Sequence, residues 1–137
     1  MACRELEAVV ERLRERFKVF GVVLFGSRAR GDYKPWSDYD VLVVGAFDKP
    51  YLERLKEVLD AVGDAPIPVE LHPYTLEEAV DMLMRGNPII VNALSEGVVL
   101  YKTREFEVLE ETYRRLVEKE LRRTSVTVVL PHSDNGV

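Results

Sequence analysis

Apolar positions along the chain switch between a helical period and short unbroken runs, and each switch marks a new element. Leu6, Val9, Val10, Leu13 and Phe17 fall at helical spacing with Glu and Arg between them, which predicts an amphipathic helix over residues 4 to 17. "KVFGVVLF" (18 to 25) is short, β-branched and almost wholly apolar, as a buried strand should be, and "DVLVV" (40 to 44) repeats the pattern. Asp48 is positioned to cap a helix with Pro50 in its first turn, and Leu52, Leu55, Val58, Leu59 and Val62 supply its expected core face. "PIPVELHP" (66 to 73) holds a short strand that Pro68 places at a sheet edge or makes start late. Thr75 with Glu78 forms a capping box for a helix carrying Leu76, Val80 and Leu83. Asn87 and Pro88 open another helix that stops near Gly97. "VVLY" (98 to 101) is the last strand, and Thr103 opens a long helix with Phe106, Leu109, Tyr113, Leu116, Val117 and Leu121 on one face.

This alternation predicts a small α/β (α+β) fold, with a mixed central sheet of about four strands flanked by helices. Residues 1–123 are expected to form the single domain. Residues 124–137 are set apart as a tail in which Val126, Val128, Val129 and Leu130 make a strand-like patch, suited to a sheet edge or a partner, before a polar end without pattern.

With 137 residues, 47% of them hydrophobic, the chain has enough material for one real core and no room for a second, substrate-binding domain. Its net charge of −5 and interleaved bases argue against a generic electrostatic grip on nucleic acid, so any phosphate would be bound locally. The single Cys3 rules out an internal disulfide, and no Cys cluster is present for zinc. His72 and His132 lie far apart in sequence. No apolar run is long enough for a membrane span and the charged beginning does not read as a signal peptide, so a reducing cytoplasm is the expected location. The absence of glutamine and the abundance of Glu, Arg and Val lean toward a thermophilic source.

One loop stands out chemically. "FGSRARGDYKPWSDYD" places Gly26 and Ser27 at the end of the first strand and Asp38 and Asp40 at the mouth of the second. A strand's period of two aims residues 38 and 40 at one face, where two carboxylates repel each other unless a cation lies between them; Mg²⁺, which prefers oxygen ligands, suits such a site. The alternative is that Asp38 caps a turn and Asp40 is a solvated strand end. Gly26 allows a ligand close approach to the backbone and Ser27 offers a hydroxyl and an N–H, although a plain turn would also use this pair. For the two strand ends to meet, the strands must run antiparallel. Glu70, inside the short third strand, is either paired with a metal or turned to solvent on an edge. Arg28 and Arg30 either neutralise phosphate or form surface ion pairs with Asp32 and Asp38. Tyr33 and Trp36, in the same loop, are read as packing or partner-contact residues.

The segment "GSRARGDYKPWSDYDVLVV" resembles the signature of the polymerase-β-like nucleotidyltransferase superfamily, and its short form resembles the minimal nucleotidyltransferases (MNT), often antitoxins paired with HEPN-domain toxins. The resemblance implies that Gly26, Ser27, Arg28 and Arg30 hold a nucleotide, and that Asp38, Asp40 and Glu70 form a catalytic, metal-binding triad for a two-ion Mg²⁺ site with ATP as substrate. It further implies transfer of AMP to a hydroxyl of a HEPN-type toxin. A homodimer, an aminoglycoside-like small-molecule acceptor, or a non-catalytic antitoxin acting by occlusion are the other arrangements the sequence allows.

Overall fold

The computed structural model describes residues 3–129, with side chains described for residues 4–120. Its elements are α1 (Cys3–Arg16), β1 (Val19–Phe25), α2 (Ser27–Arg30), β2 (Tyr39–Gly45), α3 (Tyr51–Ala61), β3 (Val69–Tyr74), α4 (Leu76–Met84), α5 (Pro88–Glu96), β4 (Val98–Lys102) and α6 (Arg104–Val129). The strands form one mixed sheet in the order β3-β2-β1-β4. β1 runs antiparallel to β2 and to β4, whereas β2 and β3 are parallel. The antiparallel β1–β2 pair is the arrangement that the loop's chemistry requires. Pro68 lies just before β3, which starts late and occupies an edge, so a missing N–H costs no ladder bond there.

Alternation along the central strands sends side chains into two apolar layers. On one face Val22, Leu24, Val41 and Val43 pack with Leu6, Val9 and Leu13 of α1 and Val58 of α3. On the other, Val23, Phe25, Leu42 and Val44 pack with Ala79 and Leu83 of α4, Ile90 and Ala93 of α5, and Phe106 and Leu109 of α6. β1 and β2 are thus buried on both sides, which is why they read as unbroken apolar runs. A Cβ built at Gly21 would lie 2.2 Å from the Phe106 ring, so this glycine lets α6 close onto β1.

Three expectations are corrected. The cap of α3 is Pro50, without a side-chain cap bond, so Asp48 does not fill that role. On α3, Leu52 is 77% exposed and Leu59 43%, while Arg54 is buried. Arg54 displaces those leucines because its guanidinium bonds the Lys49 and Pro73 carbonyls and pairs with Glu78, satisfying a charge beneath the helix. The strand-like patch at Val126, Val128 and Val129 is helical backbone continuous with α6, whose i to i−4 ladder simply carries on from Arg104. Leu130 and the polar end after it lie outside the described residues, and nothing is described of the Leu121 side chain.

The local end signals behave as their chemistry dictates. Thr75 accepts from the Glu78 N–H and Glu78 accepts from the Thr75 N–H, closing the capping box. The Asn87 side chain caps α5, with Pro88 in its first turn.

Candidate active site

The parallel β2–β3 pair brings two carboxylates together. In its register Asp40 stands opposite Glu70 and Leu42 opposite His72, while across the antiparallel pair Asp40 stands opposite Phe25. Glu70 and His72 are two apart on one strand and share a face, so β3 presents an acid and an imidazole to the acid on β2. Asp40, Glu70 and His72 each offer a ligand atom lying within 4.8 Å of the other two. His72 Nε2 is 3.6 Å from Asp40 Oδ1 and 3.9 Å from Glu70 Oε2, within reach of charge attraction if the ring is protonated but beyond a hydrogen bond. That nitrogen is buried and has no hydrogen-bond partner. The Phe25 ring sits 5.3 Å from the imidazole, centroid to centroid, and fixes its tilt.

Gly26 closes this site from the β1 end. Its backbone (φ 78°, ψ −159°) occupies a region open essentially to glycine alone. A Cβ there would also lie 2.5 Å from Asp40 Oδ2. The glycine therefore serves both the sharp turn into α2 and the close seating of the carboxylate. Ser27 begins α2, a single turn in which the Ala29 and Arg30 N–H groups donate to the Gly26 carbonyl.

Asp38 is placed differently from its neighbour. β2 starts at Tyr39, so Asp38 lies on the approach to the strand, is exposed, and stands outside the mutually close group of Asp40, Glu70 and His72. The period-of-two argument holds only inside a strand.

The two arginines of the motif have partners within the protein. Arg28 donates to the Ser37 carbonyl at 3.1 and 3.0 Å and to the Pro35 carbonyl at 3.3 Å. Its guanidinium also lies over the rings of Tyr33 and Tyr39, 4.1 and 4.4 Å from their centroids. Arg28 thus braces the loop between Gly31 and Asp38. Arg30 pairs with Asp32 and with Glu96 of α5, and those two hydrogen bonds raise its pKa. Trp36, 77% exposed, is displayed by the braced loop.

Sequence reasoning missed His72. Its signal lies in "VELHPY", where the histidine follows Glu70 at strand spacing and gains meaning once β3 pairs with β2. The two carboxylates, the buried imidazole nitrogen and the glycine cradle form a donor set suited to a divalent cation.

The family model of the nucleotidyltransferase domain matches residues 6–100, a stretch running from α1 through β4 and including every residue of this site. The chain belongs to the nucleotidyltransferase domain family. A candidate protein adenylyltransferase of Methanocaldococcus jannaschii is 45% identical over 47 residues, which are 34% of this chain and 45% of that protein, so the match spans less than half of the relative. Among solved structures, a chain of a toxin–antitoxin complex with AMP-PNP superposes with a TM-score of 0.55 at 18% identity, covering 92% of this chain and 95% of its own. A chain from the complex of tri-AMPylated Shewanella oneidensis HEPN toxin with MNT antitoxin gives a TM-score of 0.53 at 17% identity over 92% and 95%. These likenesses establish the nucleotidyltransferase fold, with its mixed four-stranded sheet. Among the described residues no helix is long and apolar enough to cross a membrane.

Proposed function

We propose that this nucleotidyltransferase domain transfers AMP from ATP to a hydroxyl of a partner protein, and that the partner is a HEPN-type toxin silenced by the modification. The observation that carries the reading is the Asp40–Glu70 pair across β2 and β3, closed by Gly26 at the end of β1. Asp40 and Glu70 stand side by side at a sheet edge with an unpartnered imidazole nitrogen beside them, a set of donors that a cation would join. Asp40 and Glu70 would hold it, with Asp38 reaching in from the exposed approach once triphosphate is bound. Mg²⁺ is the ion the carboxylates call for, and it would supply charge neutralisation for the α-phosphoryl group and the departing pyrophosphate.

The chain's own groups account for the rest of the reading. The Gly26–Ser27 turn lies against Asp40, so phosphates approaching that backbone meet the carboxylates at once. Arg28 holds the Gly31–Asp38 loop in place, which sets where Asp38 stands, and this bracing is the role proposed for it in nucleotide binding. Arg30, tied to Asp32 and Glu96, lies two residues further along α2 and is proposed to reach phosphate only by exchanging those partners. Support for a protein acceptor comes from the relatives: one carries the name of a candidate protein adenylyltransferase, and another is a complex with an AMPylated HEPN toxin.

The test is transfer of label from α-³²P-ATP, with Mg²⁺, to a HEPN-domain protein mixed with this chain. Label on the HEPN-domain protein that disappears with Asp40→Asn and Glu70→Gln is the expected result. Toxin neutralisation that survives both substitutions without labelling would replace transfer with occlusion.

A further inference from the structure

The site contains one ligand-type atom that three acids would not need. His72 Nε2 is buried, lacks any hydrogen-bond partner, and faces Asp40 Oδ1 at 3.6 Å and Glu70 Oε2 at 3.9 Å. A histidine kept only for packing turns its polar atoms to a carbonyl, a hydroxyl or water, because a buried nitrogen left without a hydrogen bond is costly. Here the ring is held by Phe25 on one side and by its place in the β2–β3 register, so Nε2 stays aimed at the gap between the two carboxylates. Asp40, Glu70 and His72 each bring a donor atom within 4.8 Å of the other two, and a small rotation of the exposed Glu70 side chain would draw the three closer around one ion.

We propose that His72 is a nitrogen ligand of the divalent cation held by Asp40 and Glu70, so that the site selects first-row transition ions over Mg²⁺. The inference rests on the nucleotidyltransferase reading of the same site and refines its choice of metal. Mg²⁺ is a hard ion that takes oxygen ligands and gives up water reluctantly, so an imidazole adds little to its binding. Transition ions accept imidazole nitrogen together with carboxylate oxygen. The site thereby takes a ligand from an exposed acid, Glu70, and another from a half-buried base two residues on whose Nε2 is shielded, and the base sets the selectivity.

Mn²⁺ serves as the probe because it is paramagnetic. Pulsed electron paramagnetic resonance of the full chain with Mn²⁺, alone and with AMP-PNP, should show a directly bound histidine nitrogen, identified by its change of pattern when the protein is made with ¹⁵N-histidine. The coupling should persist in His132→Ala, which removes the chain's other histidine, and vanish in His72→Leu. By calorimetry Mn²⁺ should bind more than about tenfold tighter than Mg²⁺ in the parent, and His72→Leu should remove about tenfold of Mn²⁺ affinity while moving Mg²⁺ affinity less than threefold. Measurement on the parent protein stands even where the variant folds poorly. Mn²⁺ binding that depends on Asp40 but shows no histidine coupling, with or without AMP-PNP, overturns this inference and leaves the nucleotidyltransferase reading intact. Mn²⁺ binding indifferent to Asp40→Asn, or no binding at all, overturns both.

Discussion

Gly26 and Arg28 do different work within three residues of each other, and both can be tested singly. Gly26 combines a backbone conformation reserved for glycine with a contact that a Cβ would break. Gly26→Ala is expected to cost about 1–3 kcal/mol in urea unfolding and to abolish metal-dependent nucleotide binding, because the Asp40 carboxylate must move. Retained binding with unchanged affinity would show that Asp40's seating is incidental. Arg28 is expected to act on the loop. Trp36 is the chain's only tryptophan, so its fluorescence anisotropy reports that loop alone. Arg28→Ala should lower the anisotropy, and Arg30→Ala, whose partners are Asp32 and Glu96, should leave it unchanged. Gly26, Asp40 and Glu70 were legible as candidates, each with a plain structural alternative, through their residue types at strand ends and the resemblance of the motif to the nucleotidyltransferase signature. His72 was not, since its meaning depends on the β2–β3 register, and parallel pairing is set by contacts that no local pattern records.

Among the elements, β3 is one of two edge strands and bears directly on the site. It is an edge strand, paired only with β2, yet it carries Glu70 and His72. Its far end is secured by the buried Arg54, which bonds the Pro73 carbonyl and reaches Glu78 at 2.6 Å, while Glu78 also closes the cap of α4. Burial alone would raise the Glu78 pKa, but the bonds from Arg54 and Thr75 outweigh it and the net shift is downward from 4.5. A carboxyl depressed on folding stabilises the protein fully above its unfolded value and loses that contribution as the pH falls through its folded value. Acid unfolding curves of Glu78→Gln should therefore be flatter below the ordinary carboxylate range than those of the parent, with lower stability at neutral pH. Equal acid dependence in the two proteins would remove Glu78 from this role. The capping box itself was readable from Thr75 and Glu78. Arg54 as the anchor was not, because a helical pattern of leucines at 52, 55 and 59 suggested an apolar face, and only the position of Glu78 across the fold makes a buried arginine the better occupant.

Across the whole molecule, the topology converts a linear motif into a site. Antiparallel β1 and β2 return the chain so that Gly26 meets Asp40, and parallel β3 then lays Glu70 and His72 alongside. Element order and fold class followed from periodicity, because strands buried on both faces and helices buried on one leave different patterns. The central claim is that this convergence binds a nucleotide through a metal. Calorimetric titration of ATP into the protein, with and without divalent cation, run in parallel on Asp40→Asn and Glu70→Gln, tests it directly. The account predicts binding that requires the cation and is lost in both variants with the fold intact by circular dichroism. Binding of the same strength without metal, or in Asp40→Asn, would contradict it.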